Sequence, residues 1–240
     1  MTYKDYKRPG VEPIWCLGCG LHVVFTQLSN LFDELEMEPI VLSGIGCTGR
    51  TAGYFNLDTV HGLHGRIIPL AEGVKRARKD KEVIVVSGDG DLLSIGGNHL
   101  LHTSRRDINM TVICVNNSVY GLTGGQLSPT TPKGAKTKTT PGGSEIEPID
   151  AQKILMSNKR YFYARTTPVH VKYMKEVIKQ AIEWDGFAFV EIISLCLETI
   201  GKTMGLKKPS KMYNWLEENF RIVENKQVLD DFELGVVKNG

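Results

Sequence analysis

Apolar residues along this chain follow two rhythms. Short unbroken runs rich in Val, Ile and Phe occur at Pro39–Gly44, Val83–Ser87, Thr111–Val115 and Phe187–Ile193, with a weaker one at Tyr161–Arg165. Runs of this length, bounded by turn residues, predict strands buried on both faces of a sheet. Between them, apolar positions recur at helical spacing. Leu21–Leu35 carries Val24, Leu28, Leu31, Phe32 and Leu35 on one face, and Arg66–Lys79, Leu92–Thr103 and Val169–Trp184 read the same way. A short helix is expected over 150–157 with Asp150 as its cap, and another over Lys211–Asn219. Strands alternating with helices predict an α/β fold, a mostly parallel sheet flanked by helices. The stretch from Thr51 to Gly65 reads as loop, and residues 1–15 as an extended lead-in. The division expected is a main domain over 1–200 and a charged tail over 201–240, anchored by Trp215, Leu216 and Phe220 to the domain or to another subunit.

The strands end in chemically distinctive turns. Val83–Ser87 runs into Gly88-Asp89-Gly90-Asp91, and Thr111–Val115 into Asn116-Asn117-Ser118-Val119-Tyr120-Gly121. In an open α/β sheet, ligands bind outside the carboxyl ends of the strands, so both turns face one crevice. Strand, Gly-rich turn and helix make a phosphate site, because unpaired N–H groups at the helix start point outward. A carboxylate beside a phosphate needs a cation between them, and Mg²⁺ suits oxygen ligands and phosphates. Asp89, the amide oxygen of Asn117 and the backbone carbonyl of Val119 are its candidate ligands.

Cys16, Cys19, Cys47 and Cys196 fall in or beside turns, whereas Cys114 lies inside a strand as a core residue. Five cysteines in a chain that opens without an apolar leader argue for metal or redox chemistry rather than a disulfide framework. Four thiolates can hold Zn²⁺ or a 4Fe–4S cluster, and spacing alone does not choose. A net charge of +2 and the short apolar runs predict no nucleic-acid or membrane partner and a cytoplasmic protein. The Thr-, Pro-, Gly- and Lys-rich stretch Leu122–Glu147 is too long for an idle connection and is a candidate binding loop, with Lys133, Lys136 and Lys138 able to attract an anion.

Gly88-Asp89-Gly90 followed, after residues 91–115, by Asn116-Asn117 resembles the thiamine-diphosphate fingerprint. With Trp15-Cys16-Leu17-Gly18-Cys19-Gly20, Gly44-Ile45-Gly46-Cys47, His64-Gly65-Arg66, Tyr120–Gln126 and Ser194-Leu195-Cys196, the chain is similar across nearly its whole length to the β subunits of 2-oxoacid:ferredoxin oxidoreductases. The resemblance implies thiamine diphosphate held through Mg²⁺ on Asp89, Asn117 and Val119. Ile45, Gly46, Cys47, Thr48, His64, Gly90, Asp91, Gly121 and Leu122 are then expected to surround the cofactor. A 4Fe–4S cluster is implied on Cys16, Cys19, Cys47 and Cys196. His64 is the candidate catalytic side chain, a hydrogen-bond donor to substrate or diphosphate, and His61 a structural one. Leu17 and Leu195 stand where the family often has Pro, which removes rigidity beside the cluster but no ligand.

The implied activity is CoA-dependent oxidative decarboxylation of a 2-oxoacid, or its reverse, with electrons leaving through the cluster to ferredoxin. Tyr120–Gln126, with Gly124 where broader-specificity relatives have Lys, resembles the 2-oxoglutarate branch. Pyruvate or several 2-oxoacids as substrate, a non-redox thiamine-dependent decarboxylase with a structural zinc, and a cofactor-binding module without catalysis are the alternatives. In thiamine enzymes a glutamate on a separate pyrimidine-binding module activates the aminopyrimidine, and this chain offers no candidate for it. The expectation is a hetero-oligomer in which an α subunit supplies that module.

Overall fold

The computed structural model describes residues 6–240; the first five residues of the expected lead-in lie outside the described region. A sheet of eight strands forms the centre, in the order β2-β1-β3-β4-β8-β7-β10-β9. Its middle is β1 (Ile40–Ser43), β3 (Val83–Gly88), β4 (Met110–Asn116), β8 (Phe187–Ile193) and β7 (Tyr161–Thr166), all parallel. Alternation sorts their side chains: Ile84, Val86, Ile113, Val115, Ala188 and Val190 face one layer, and Val83, Val85, Val112, Cys114, Phe187 and Phe189 the other.

Helices cover both faces. The first layer holds α1 (Leu21–Glu34), whose Val24, Phe25, Leu28, Leu31 and Phe32 are buried. Beside it lies α6 (Val171–Ile182), burying Met174, Val177, Ile178 and Ala181. The second layer holds α3 (Ile67–Ala77), α4 (Gly97–Arg105) and α5 (Ala151–Met156), through Ile67, Ile68, Ala71, Leu100, Ala151 and Leu155. Asp150 caps α5 as its sequence suggests, accepting from the Lys153 N–H at 3.3 Å.

The structure departs from the sequence expectation in four places. The span read as loop contains α2 (Thr51–Tyr54) and the edge strand β2 (Thr59–His61), which pairs parallel with β1. Three residues at an edge are too few to show a period. The helix expected from Leu92 is two pieces, a π-helical turn over Gly90–Ile95 and then α4, so coiling begins within the Gly-Asp-Gly-Asp turn itself. The long connection pins down a small hairpin, β5 (Val119–Tyr120) with β6 (Gln126–Leu127). Around the helix expected over Lys211–Asn219, found as α8 (Pro209–Asn219), the C-terminal segment adds α7 (Ile200–Thr203), β9 (Arg221–Ile222) and β10 (Glu233–Asn239). β10 joins the main sheet antiparallel to β7, with Val236 opposite Ala164. Met212, Leu216 and Phe220 of this segment pack on Leu195, Leu197 and Ile200, just past the end of β8. Trp215 packs edge-on against Phe220 and Phe232.

Candidate cofactor and metal site

Register fixes where the chemistry gathers. Gly88 pairs with Val115, and Asn116 with Ile193, so β3, β4 and β8 end level with one another. The turns that follow, with the turn after β1, therefore open on one edge. They border a partly open cleft with an inner volume of about 130 Å³. Ile45, Gly46, Cys47 and Thr48 line it from the first turn, Asp89, Gly90 and Asp91 from the second, and Asn117, Val119, Gly121 and Leu122 from the third. His64 reaches it from the loop before α3. Gly88, Tyr120 and Thr123 also line it, three motif residues that were not among the expected cofactor neighbours. His61 lies on β2 outside this lining.

Asp89 is 1% exposed. Its Oδ2 accepts from the Thr130 hydroxyl at 2.7 Å and its Oδ1 from the Asn117 N–H at 3.3 Å. Burial pushes the Asp89 carboxyl up, while hydrogen bonds from Ser128, Thr130 and Asn117 favour its charged form. Among the described residues no Lys, Arg or His pairs with it. A buried carboxylate without a protein counter-charge, facing a cleft, is the donor a hard cation needs. Asn117 and Val119 fit the same ion. The Asn117 Oδ1 accepts from the Val119 N–H at 3.2 Å, and the Val119 carbonyl accepts from the Gly121 N–H at 2.9 Å. A carbonyl oxygen carries two lone pairs, so one such bond does not bar it from a cation. Ser118, at φ 60°, makes the turn between them.

The Gly90 backbone must pass close to Tyr120: a Cβ there would stand 2.3 Å from the ring. The Asp91 carboxylate is spent inside the wall, accepting from Ser87 Oγ at 2.8 Å, from the Gly65 N–H at 2.7 Å and from His64 Nδ1 at 2.6 Å. Since a carboxylate only accepts, His64 carries its proton on Nδ1 and keeps Nε2 for other partners. The sequence pattern names Asp91 as a cofactor neighbour; its geometry adds the orienting of His64.

The cysteines come together from three sides. The Cys16–Cys19 hairpin closes with the Cys19 N–H on the Cys16 carbonyl at 3.2 Å, and Ser194 Oγ holds the Cys19 carbonyl at 2.8 Å. Trp15 Nε1 donates to the Cys47 carbonyl at 2.8 Å. Burial raises the Cys19 thiol to about 11, with Cys16, Cys47 and Cys196 adding to the rise. Burial raises Cys47 too, with Cys196 and Cys16 contributing. Cys19 and Cys47 thus each sit within electrostatic reach of the other three cysteines of the set. Yet among the described residues no three His, Cys, Asp or Glu close on a point that a single ion would fill. Cys114 is fully buried in β4, where burial pushes its thiol far up, as expected of a core residue. Gly121 joins the two halves of the site: a Cβ there would lie 3.3 Å from Cys196 Sγ, 3.7 Å from Asn117 Nδ2 and 3.9 Å from Cys47 Sγ.

A parallel sheet whose Gly-Asp-Gly and Asn-Asn turns share one cleft defines the class first. The family described as thiamine pyrophosphate enzyme, C-terminal TPP binding domain, matches residues 44–192. Cys16, Cys19 and Cys196 lie outside that span. Relatives over most of the chain narrow the assignment. The 2-oxoglutarate synthase subunit KorB of Methanocaldococcus jannaschii is 44% identical over 219 residues, 90% of this chain and 81% of its own. The protein of the same name from Archaeoglobus fulgidus is 39% identical, over 98% of this chain and 88% of its own. The 2-oxoglutarate:ferredoxin oxidoreductase from Magnetococcus marinus, solved with 2-oxoglutarate, coenzyme A and succinyl-CoA bound, superposes with a TM-score of 0.86. It is 30% identical, over all of this chain and 85% of its own. The chain belongs to this family of thiamine pyrophosphate enzymes, among the β subunits of the 2-oxoacid:ferredoxin oxidoreductases.

Proposed function

We propose that this chain binds thiamine diphosphate through Mg²⁺ on Asp89, Asn117 and the Val119 carbonyl, and a 4Fe–4S cluster on Cys16, Cys19, Cys47 and Cys196. In complex with an α subunit it would interconvert 2-oxoglutarate plus CoA and succinyl-CoA plus CO₂, exchanging electrons with ferredoxin. The observation that carries this reading is Gly121, near enough to Cys47, Cys196 and Asn117 that one Cβ would touch all three. Sulfur and oxygen donors share a wall, the arrangement electron transfer from one group to the other requires. The relatives named as 2-oxoacid:ferredoxin oxidoreductase subunits support a redox cluster on these thiols over a structural zinc.

Thiamine diphosphate, once bound there, would supply the nucleophilic and electron-sink chemistry that cleavage beside a 2-oxoacid carbonyl needs. The chain's own groups do the positioning. Asp89, Asn117 and Val119 fix the diphosphate end, while Asp91 sets the tautomer of His64 so that Nε2 is the atom turned to a ligand. Ile45 and Leu122 on the cleft, Leu63 beside His64 and Leu17 in the Cys16–Cys19 hairpin leave large apolar side chains exposed, Leu17 by 82%. Such exposure beside a site without a glutamate for the pyrimidine supports a partner that closes over it. An α subunit also gives the natural home for groups that hold the distal carboxylate of 2-oxoglutarate.

The test is anaerobic reconstitution with the partner subunit. Ferredoxin reduction that requires 2-oxoglutarate, CoA and thiamine diphosphate is expected, with kcat/KM at least tenfold above that for pyruvate. Asp89→Asn should abolish turnover and leave the brown cluster absorbance, and Cys196→Ser should do the reverse to the cluster. A colourless wild-type preparation containing zinc would overturn the redox reading, and a preference for pyruvate would overturn the choice of substrate.

A further inference from the structure

The long connection after Leu122 is anchored beneath the site by four residues, Ser128–Thr131. Thr130 is buried, and its hydroxyl stands 2.7 Å from Asp89 Oδ2 and 2.8 Å from Asn116 Oδ1. Thr131 Oγ1 donates to the Ser118 carbonyl at 2.6 Å and accepts from the Ser128 N–H at 2.8 Å. One short segment thus grips the turn carrying Asp89 and the turn carrying Asn117 and Val119. Asn116 is itself held from behind. Its Nδ2 donates to Glu191 Oε1 at 2.8 Å, and Glu191 in turn accepts from Tyr163 Oη and, at 3.1 Å, from Arg165 Nε. With its amide nitrogen committed there, Asn116 presents Oδ1 to the Ser118 N–H at 3.1 Å and to Thr130.

The Thr130 hydroxyl has one proton and three oxygen neighbours, Asp89 Oδ2, Asn116 Oδ1 and, at 3.3 Å, Ser128 Oγ; the carboxylate takes the proton, because a charged acceptor forms the stronger bond. That bond occupies Oδ2 of Asp89 and fixes the carboxylate's rotation. Oδ1, held by the longer bond from the Asn117 N–H at 3.3 Å, is the oxygen left to a cation.

We propose that Thr130 is a positioning residue for the magnesium–diphosphate site, orienting Asp89 so that one defined oxygen meets the metal, and that the 122–147 connection serves the site through this clamp. The inference rests on the metal reading above and goes beyond it in assigning a residue that binds neither metal nor cofactor directly. Outer partners of metal-binding carboxylates typically carry about a 10- to 100-fold effect on metal affinity.

The experiment compares wild type, Thr130→Val and Thr130→Ser as the complete chain in complex with its partner, stripped of metal and thiamine diphosphate. Mg²⁺ is titrated at fixed thiamine diphosphate, with binding followed by calorimetry or circular dichroism, and Mn²⁺ is titrated by electron paramagnetic resonance. Valine keeps the shape and loses the hydroxyl. Its half-saturating Mg²⁺ should rise at least tenfold, serine should restore it to within about threefold of wild type, and the cluster spectrum should not change. If valine disturbs the fold, seen as a lowered melting temperature of the metal-free complex, Thr130→Ala must give the same Mg²⁺ shift with serine again rescuing it. Wild-type Mg²⁺ dependence in the valine variant, or a serine variant as weak as valine, overturns the proposal. Wild-type complex that takes up thiamine diphosphate without any divalent ion would instead overturn the metal reading itself.

Discussion

Gly121 and Gly73 share a residue type and face opposite demands. Gly73 lies inside α3 with open space where a Cβ would go. Gly73→Ala should therefore stabilise the protein by about 0.5–1 kcal/mol, the helix-propensity gain, read from denaturant melts. At Gly121 the added methyl would press on Cys196 Sγ at 3.3 Å. Gly121→Ala should change little in global stability but shift the electron paramagnetic resonance spectrum of the reduced cluster and slow ferredoxin reduction several-fold. An alanine variant with wild-type spectrum and rate would remove Gly121 as the bridge between the two halves of the site. At this scale the sequence was partly legible. The Asp89, Asn117 and cysteine positions carried a pattern, because donor chemistry restricts residue type. Thr130 carried none: its role comes from one bond across 41 residues of chain.

Between elements, the clearest electrostatic device is Glu72 on α3. Burial opposes its charge, but hydrogen bonds from Arg106, Arg76 and Thr103 outweigh burial and hold the carboxyl down to about 2. Arg106 Nε and Nη2 reach it at 2.8 and 2.5 Å from just past α4, tying the two helices together. A carboxyl depressed in the folded state contributes stability that is complete above its unfolded value near 4.5 and is lost as pH falls through the folded value. Glu72→Gln should cost about 1.5–3 kcal/mol at pH 7, the range for hydrogen bonds to a charged group. The gap from wild type should narrow as pH drops from 4.5 towards 2, measured as unfolding free energy. A gap independent of pH would assign the loss to packing. Elements with long periodic faces were readable along the chain, since α1 and β8 follow from hydrophobic spacing alone. The edge strand β2, the split at Gly96 and the final strand β10 were not: β2 has three residues, and β10 takes its form from antiparallel pairing with β7.

At the scale of the whole molecule, the cleft has a floor and walls from this chain, and exposed apolar side chains at its margin. Leu63 is 78% exposed beside His64. Leu63→Asp should leave the melting temperature of the isolated chain unchanged and weaken association with the partner subunit by tenfold or more, measured by analytical ultracentrifugation. Unaltered association would move the interface elsewhere. The isolated wild-type chain should show no 2-oxoacid-dependent ferredoxin reduction; full turnover alone would refute the need for a second subunit.

Residue order alone determined the parallel α/β class, the turns at strand ends and the residue types able to hold a diphosphate, a hard cation and a thiolate-bound metal. These are local properties: hydrophobic period selects helix or strand, and ligand chemistry selects Asp, Asn and Cys. Tertiary structure alone decided that cysteines as far apart as 16 and 196 share one wall, that Asp91 turns to His64, and that a threonine in an irregular loop steers Asp89. Strand register and loop packing bring distant residues within bonding distance, and no pattern read along the chain encodes those distances.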